Sequence, residues 1–154
     1  MGRVISFPVG RTRVQSIDAL PKQPTVVVVD DNAMFREILA YDLNRHGYCV
    51  RTAEDGKTAL TILEKEEIHV LLLDLRLPDL DGFTVLRHVR DERSGPFPYV
   101  IVMSGLVADT VRERVYALAA NDFLVKPFSF STLAARLRVF VRRYRQGTLP
   151  EQSA

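Results

Sequence analysis

The sequence predicts an α/β fold: a parallel sheet of five strands covered by helices on both faces. Three observations predict it. Short apolar runs recur five times, each is followed by a stretch with apolar residues at helical spacing, and the connections between them are brief. Strands buried on both faces read as continuous apolar runs, and strict alternation with helices sets successive strands parallel.

The elements follow in order from Thr25. Val26-Val27-Val28-Val29 is wholly β-branched, as a doubly buried strand requires. Asn32 offers a helix N-cap, and Phe35, Ile38, Leu39 and Leu43 recur at helical spacing until Gly47 stops the run. Tyr48–Ala53 reads as the second strand, with Ala59, Leu60 and Leu63 marking the inner face of the second helix. Val70–Leu73 is the third strand, and its helix runs through Phe83, Leu86 and Val89. Tyr99–Met103 is the fourth, with a helix through Val111, Val115 and Leu118. Asp122–Val125 is a short fifth strand, and Leu133, Leu137, Val141 and Tyr144 line the last helix, which Gly147 and Pro150 end.

Before Thr25 no period is sustained, and Pro8, Gly10 and Pro21 punctuate the chain. The expected organisation is a flexible extension over 1–23, one domain over 24–146 and a tail over 147–154. With 154 residues, 47% hydrophobic and 26% charged, the chain matches one ordinary soluble domain. Its net charge of +2 resides at the ends, since Arg3, Arg11, Arg13 and Lys22 lie before the domain and Arg142, Arg143 and Arg145 at its close. The body between is −3, which does not suggest a nucleic-acid surface. Cys49 is the only cysteine, so no internal disulfide or paired-thiol metal site is possible. No run approaches the roughly 18 apolar residues of a membrane span, and the expected setting is the cytoplasm.

In a parallel sheet the residues just past each strand meet at one edge, where open α/β sheets bind their ligands. Those residues are Asp30 and Asp31 after strand 1, Asp74 after strand 3, Ser104 after strand 4 and Lys126 after strand 5. Clustered carboxylates raise one another's proton affinity unless a cation joins them, and a hard divalent ion such as Mg²⁺ suits such a set. An aspartate can also attack phosphorus to give an acyl phosphate, with Mg²⁺, an ammonium and a hydroxyl neutralising the phosphoryl oxygens.

Four segments at these strand ends carry a resemblance: Val-Val-Val-Asp-Asp-Asn (27–32), Leu-Leu-Leu-Asp-Leu-Arg-Leu-Pro-Asp-Leu-Asp-Gly (71–82), Val-Met-Ser-Gly (102–105) and Asp-Phe-Leu-Val-Lys-Pro-Phe (122–128). From Thr25 to about Arg145 the chain resembles the receiver domain of two-component response regulators, including the free-standing chemotaxis type. The resemblance implies a flavodoxin-like, doubly wound sheet in the order 2-1-3-4-5 with five helices. It implies Asp74 as phosphoacceptor. Mg²⁺ (or Mn²⁺) would be held by Asp31, Asp74 and the Arg76 backbone carbonyl, with Asp30 acting through water. Lys126 would pair with the phosphoryl group, Ser104 would move inward to bond it, and Gly105 would permit close approach. Ser104 stands where threonine is also common, and Phe123 holds the switch-aromatic position, often tyrosine. Pro78 and Gly82 fit the turn after Asp74, and the Lys126-Pro127 peptide is expected to be cis. Arg76 and Leu106, each two residues past a key position, would flank the attacking water. The implied partners are a sensor histidine kinase or phosphotransfer protein and an output partner. A homodimer through the helix 4–strand 5–helix 5 face is a further family-level implication.

Blander readings stand beside these. Asp30-Asp31 alone could be a charge pair at a helix N-terminus, and Asp79 and Asp81 simple loop chemistry before Gly82. Gly56-Lys57-Thr58 mimics a phosphate-loop ending but has Arg51 where a glycine is required. His46, His69 and His88 lack ligand spacing and read as structural or exposed. Two other functions fit less well: a phosphorylation-independent binding module, and a Mg²⁺-dependent phosphohydrolase. The latter lacks the acid that haloacid-dehalogenase-like phosphatases place two residues past the nucleophile, where this chain has Arg76. The expectation is a signalling receiver, not an enzyme for external substrates.

Overall fold

The computed structural model describes residues 23–91, 98–106 and 108–146. The predicted tail, its helix-ending Gly147 and Pro150, and all of the predicted extension but Gln23 lie outside them. Ten elements alternate: β1 (Thr25–Val29), α1 (Ala33–Arg45), β2 (Cys49–Ala53), α2 (Gly56–Lys65), β3 (Val70–Asp74), α3 (Gly82–Asp91), β4 (Tyr99–Ser104), α4 (Asp109–Ala117), β5 (Asp122–Val125) and α5 (Phe130–Gln146). The strands form one parallel sheet in the order β2-β1-β3-β4-β5. The order reverses between β1 and β3, so the crevice of this sheet opens beyond their carboxyl ends.

Alternation along the strands builds two cores. Val26, Val28, Val70, Leu72, Ile101 and Met103 face α1 and α5, meeting Leu39, Leu43, Leu133, Leu137, Phe140 and Tyr144. Val27, Val29, Leu71, Leu73, Val100 and Val102 face the other way, against Ala59 and Leu63 of α2, Val85 and Leu86 of α3 and Val115 of α4. β3 and β4 are buried along their whole length. Phe123 and Leu124 of β5 divide between the two cores.

Helix ends are closed by local chemistry. Asn32 caps α1, its side-chain oxygen accepting the Phe35 N–H at 3.0 Å. At the other end Gly47 (φ 89°) turns the chain, and the Gly47 and Tyr48 N–H groups donate to Asn44 and Leu43 carbonyls. Asp81 caps α3 by accepting the Thr84 N–H at 2.8 Å. Gly82 opens that helix against the end of β3, where a Cβ would stand 2.5 Å from the Asp74 carbonyl oxygen. Only glycine fits there. Arg90, at the end of α3, donates to the carbonyls of Ala119 and Pro98 and to Asn121 Oδ1, joining α3 to the start of β4 and the turn before β5.

Four details differ from the sequence reading. Ile38, expected on the inner face of α1, is 58% exposed, as α1 turns a stripe of Met34, Ile38 and Tyr41 outward. Leu118 caps α4 from outside the helix. β2 starts at Cys49, because the Tyr48 N–H is spent on the α1 cap. Asp74 and Ser104 are the last residues of β3 and β4, not the first beyond them. No helix among the described residues is long and apolar enough to cross a membrane.

Candidate functional site

Four strand ends deliver charged or polar side chains to the carboxyl edge of the sheet. Asp30 follows β1 and is only 1% exposed. One of its carboxylate oxygens accepts the Asn32 N–H at 2.9 Å, and the other receives the Lys126 ammonium. Asp31, next in the chain, is exposed. Asp74 ends β3 with Oδ1 accepting the Arg76 N–H at 2.9 Å and Oδ2 accepting from Lys126 Nζ at 2.9 Å. Lys126, one residue past β5, therefore bridges two carboxylates, and its Nζ also lies 4.4 Å from the centre of the Phe35 ring. Its peptide bond to Pro127 is cis.

Electrostatics follow from this packing. Burial pushes the Asp74 carboxyl above its ordinary range, and the neighbouring Asp30 charge adds to this, against the lowering effect of Lys126 and the Arg76 N–H. For Lys126 burial acts downward, but hydrogen bonds and attraction to Asp30 and Asp74 outweigh it and raise its pKa. One ammonium thus faces three acids. Oxygens of Asp30, Asp31 and Asp74 lie within 4.8 Å of one another, close enough to share one ion. An all-oxygen set of carboxylates is the donor chemistry of a hard divalent cation, so Mg²⁺ fits these residues.

Ser104 is buried at the end of β4, with its hydroxyl accepting the Leu106 N–H at 3.0 Å. A Cβ at Gly105 would meet no protein atom within 4 Å, so no packing contact demands glycine there. Phe123 is buried beneath the guanidinium of Arg112, 5.3 Å from its ring centre. The sequence reading thus finds its residues gathered at one edge, with one change of emphasis. Asp30, expected at a remove, is the buried carboxylate bound directly to Lys126, and Asp31 is the open one. Asp79 was read as loop chemistry, yet it accepts the Gly56 and Lys57 N–H groups of α2. No periodic signal marks such a partner, because it lies 22 and 23 residues away in the chain. Asp81, also read as loop chemistry, caps α3, and the signal that could have found it is an aspartate directly before the first helical residue.

Residues 26–138 match the family described as the response regulator receiver domain. Response regulator RR06 of Streptococcus pneumoniae serotype 2 is 38% identical over 119 residues, covering 77% of this chain and 54% of that protein. The transcriptional regulatory protein HprR of Escherichia coli K12 is 35% identical over 121 residues, covering 77% and 52%. Among solved structures, the chemotaxis response regulator CheY4 of Vibrio cholerae superposes with a TM-score of 0.70 at 28% identity, over 76% of this chain and 98% of that one. The chain spans about half the length of the curated relatives it matches.

Proposed function

Because the chain belongs to the receiver-domain family of two-component response regulators, whose typical function is phosphorylation-based switching, we propose that Asp74 is its phosphoacceptor. The observation that carries this is the bridge from Lys126 to Asp30 and Asp74 beside the open Asp31. Receiver domains bind Mg²⁺ through acidic residues. Here Asp30, Asp31 and Asp74 would hold it (or Mn²⁺), with the Arg76 backbone carbonyl completing the protein ligands. When bound, the ion supplies positive charge at the phosphoryl oxygens.

The chain's own residues supply the rest. Burial makes the Asp74 carboxylate more basic than one in water, which favours attack on phosphorus. A carboxylate oxygen forms the new bond to phosphorus as the donor's bond to its leaving nitrogen breaks. Lys126 holds its charge beside Asp74 and is placed to follow the phosphoryl group. The Ser104 hydroxyl leaves the Leu106 N–H and turns to donate to a phosphoryl oxygen. Phe123 then responds within the same layer, and the surface of α4, β5 and α5 changes its affinity for an output partner or a second copy. Gly105, Pro78 and Gly82 shape the backbone around these groups.

The family is a signalling domain and not an enzyme for external substrates. Catalysis is accordingly confined to the chain's own phosphorylation and dephosphorylation. A sensor histidine kinase or phosphotransfer protein, met in the cytoplasm, is the proposed donor, and several relatives named transcriptional regulators point to gene control as one output. Incubation with Mg²⁺ and acetyl phosphate is expected to add the mass of one phosphoryl group, and Asp74→Asn to abolish the gain. No gain in the wild type, or a gain that survives the substitution, overturns the assignment.

A further inference from the structure

The loop between β3 and α3, residues 75–81, leaves Asp74 and carries Arg76. Its near end is tied to the site, since the Arg76 N–H donates to Asp74 Oδ1 at 2.9 Å. Its far end is tied back to its start, since the Gly82 N–H donates to the carbonyl of Leu75, the residue after β3, at 2.8 Å. Between them the loop reaches α2. Asp79 Oδ1 accepts the Gly56 N–H at 2.8 Å and Oδ2 accepts the Lys57 N–H at 3.0 Å, so one carboxylate grips two peptide groups of the first helical turn. Those donors have no partner within the helix, and they stand at the positive end of its dipole, where an acid is favoured.

Two independent features show that this contact is built in. A Cβ at Gly56 would stand 2.8 Å from Leu80 Cβ and 3.0 Å from Val85 Cγ2, so the helix is closed to any larger residue where the loop lies on it. Asp55, the N-cap, accepts only the next donor, the Thr58 N–H at 2.8 Å, while the Ala59 N–H bonds the Asp55 carbonyl. Asp79 thus completes the end of a helix whose own cap leaves two donors unserved.

We propose that Asp79 is a positioning residue for the ion site: it clamps the 75–81 loop onto α2 and so fixes the backbone at Arg76 relative to Asp74. The role rests on the assignment of Asp74 and the Arg76 carbonyl as ion ligands. It differs from helix capping alone, because the cap at the same helix end, Asp55, turns its carboxylate to the Thr58 N–H of its own helix, whereas Asp79 reaches that end from the loop.

A Mn²⁺ titration, following the electron paramagnetic resonance signal of free ion, separates the two roles when paired with melting curves. Asp79→Ala is expected to bind Mn²⁺ roughly ten-fold more weakly than the wild type, the scale of losing a group that supports a ligand. Asp55→Ala is expected to lower the melting temperature and leave Mn²⁺ binding unchanged. Asp79→Asn, which keeps an oxygen acceptor without the charge, should fall between wild type and Asp79→Ala, and it carries the test if the alanine variant does not fold. Wild-type Mn²⁺ affinity in both Asp79 variants, with melting lowered as in Asp55→Ala, overturns the clamp and leaves the site intact. A wild-type protein that takes up no Mn²⁺ overturns the ion-site assignment itself, and the clamp with it.

Discussion

His69 stands just before β3, almost wholly buried, and its Nδ1 accepts the Thr25 N–H at 3.0 Å. Burial lowers its pKa from 6.5 to about 4. Protonation would also turn Nδ1 from acceptor to donor and break the bond to β1. The folded protein therefore refuses a proton that the unfolded chain accepts near 6.5. Its contribution is complete above that pH and is lost as pH falls toward 4. The gap, at about 1.4 kcal/mol per pH unit, is worth about 3 kcal/mol. Urea denaturation of His69→Gln, whose amide does not titrate, should show a shallower loss of stability between pH 7 and 5 than the wild type. Parallel curves would refute the argument. At this scale the sequence was partly legible. Asp74 and Lys126 could be placed because each sits at the end of an apolar run, where the chain must turn. Which of Asp30 and Asp31 goes inside depends on the rotation of the chain leaving β1, and adjacent aspartates carry no signal for that.

Elements were legible where burial leaves a period. β1, β3 and β4 carry continuous apolar runs, Val26–Val29, Val70–Leu73 and Tyr99–Met103, because they are covered on both faces, and the four-residue β5 was read with the same bounds it has in the fold. α1 was the harder case. Phe35, Ile38, Leu39 and Leu43 fit one helical face, yet the apolar Met34 and Tyr41 blur its edge, and Ile38 falls on the wrong side of it. Neighbouring residues should therefore respond very differently. Leu39, 5% exposed in the core with α5, is expected to cost about 2–5 kcal/mol on Leu39→Ala. Ile38→Ala, which removes mostly solvated atoms, should cost about 0.5 kcal/mol or less. Chemical denaturation of the two variants checks the assignment of faces, and comparable losses would contradict it.

Over the whole molecule, every strand–helix pair among the described residues takes part in one of the two cores, and we propose that the domain closes within Thr25–Gln146. Pro24 belongs with them, since its carbonyl accepts the Cys49 N–H at 3.0 Å. A chain trimmed to residues 24–146 is expected to keep the full-length circular dichroism spectrum and cooperative melting. A trimmed chain that melts without cooperativity would show that the ends are part of the domain. The parallel order was legible from alternation alone; its reversal between β1 and β3 came only through resemblance, because strand order leaves no mark in a local pattern. The alternation that builds two cores also divides labour. Phe123 is buried with the layer of α2, α3 and α4, and Ser104, in phase with Val100 and Val102 along β4, belongs to the same side. Asp74, in phase with Val70 and Leu72 along β3, belongs instead to the side of α1 and α5, so the proposed phosphoacceptor and the proposed switch residues stand on opposite faces of one sheet, and a phosphoryl group would have to be read across it.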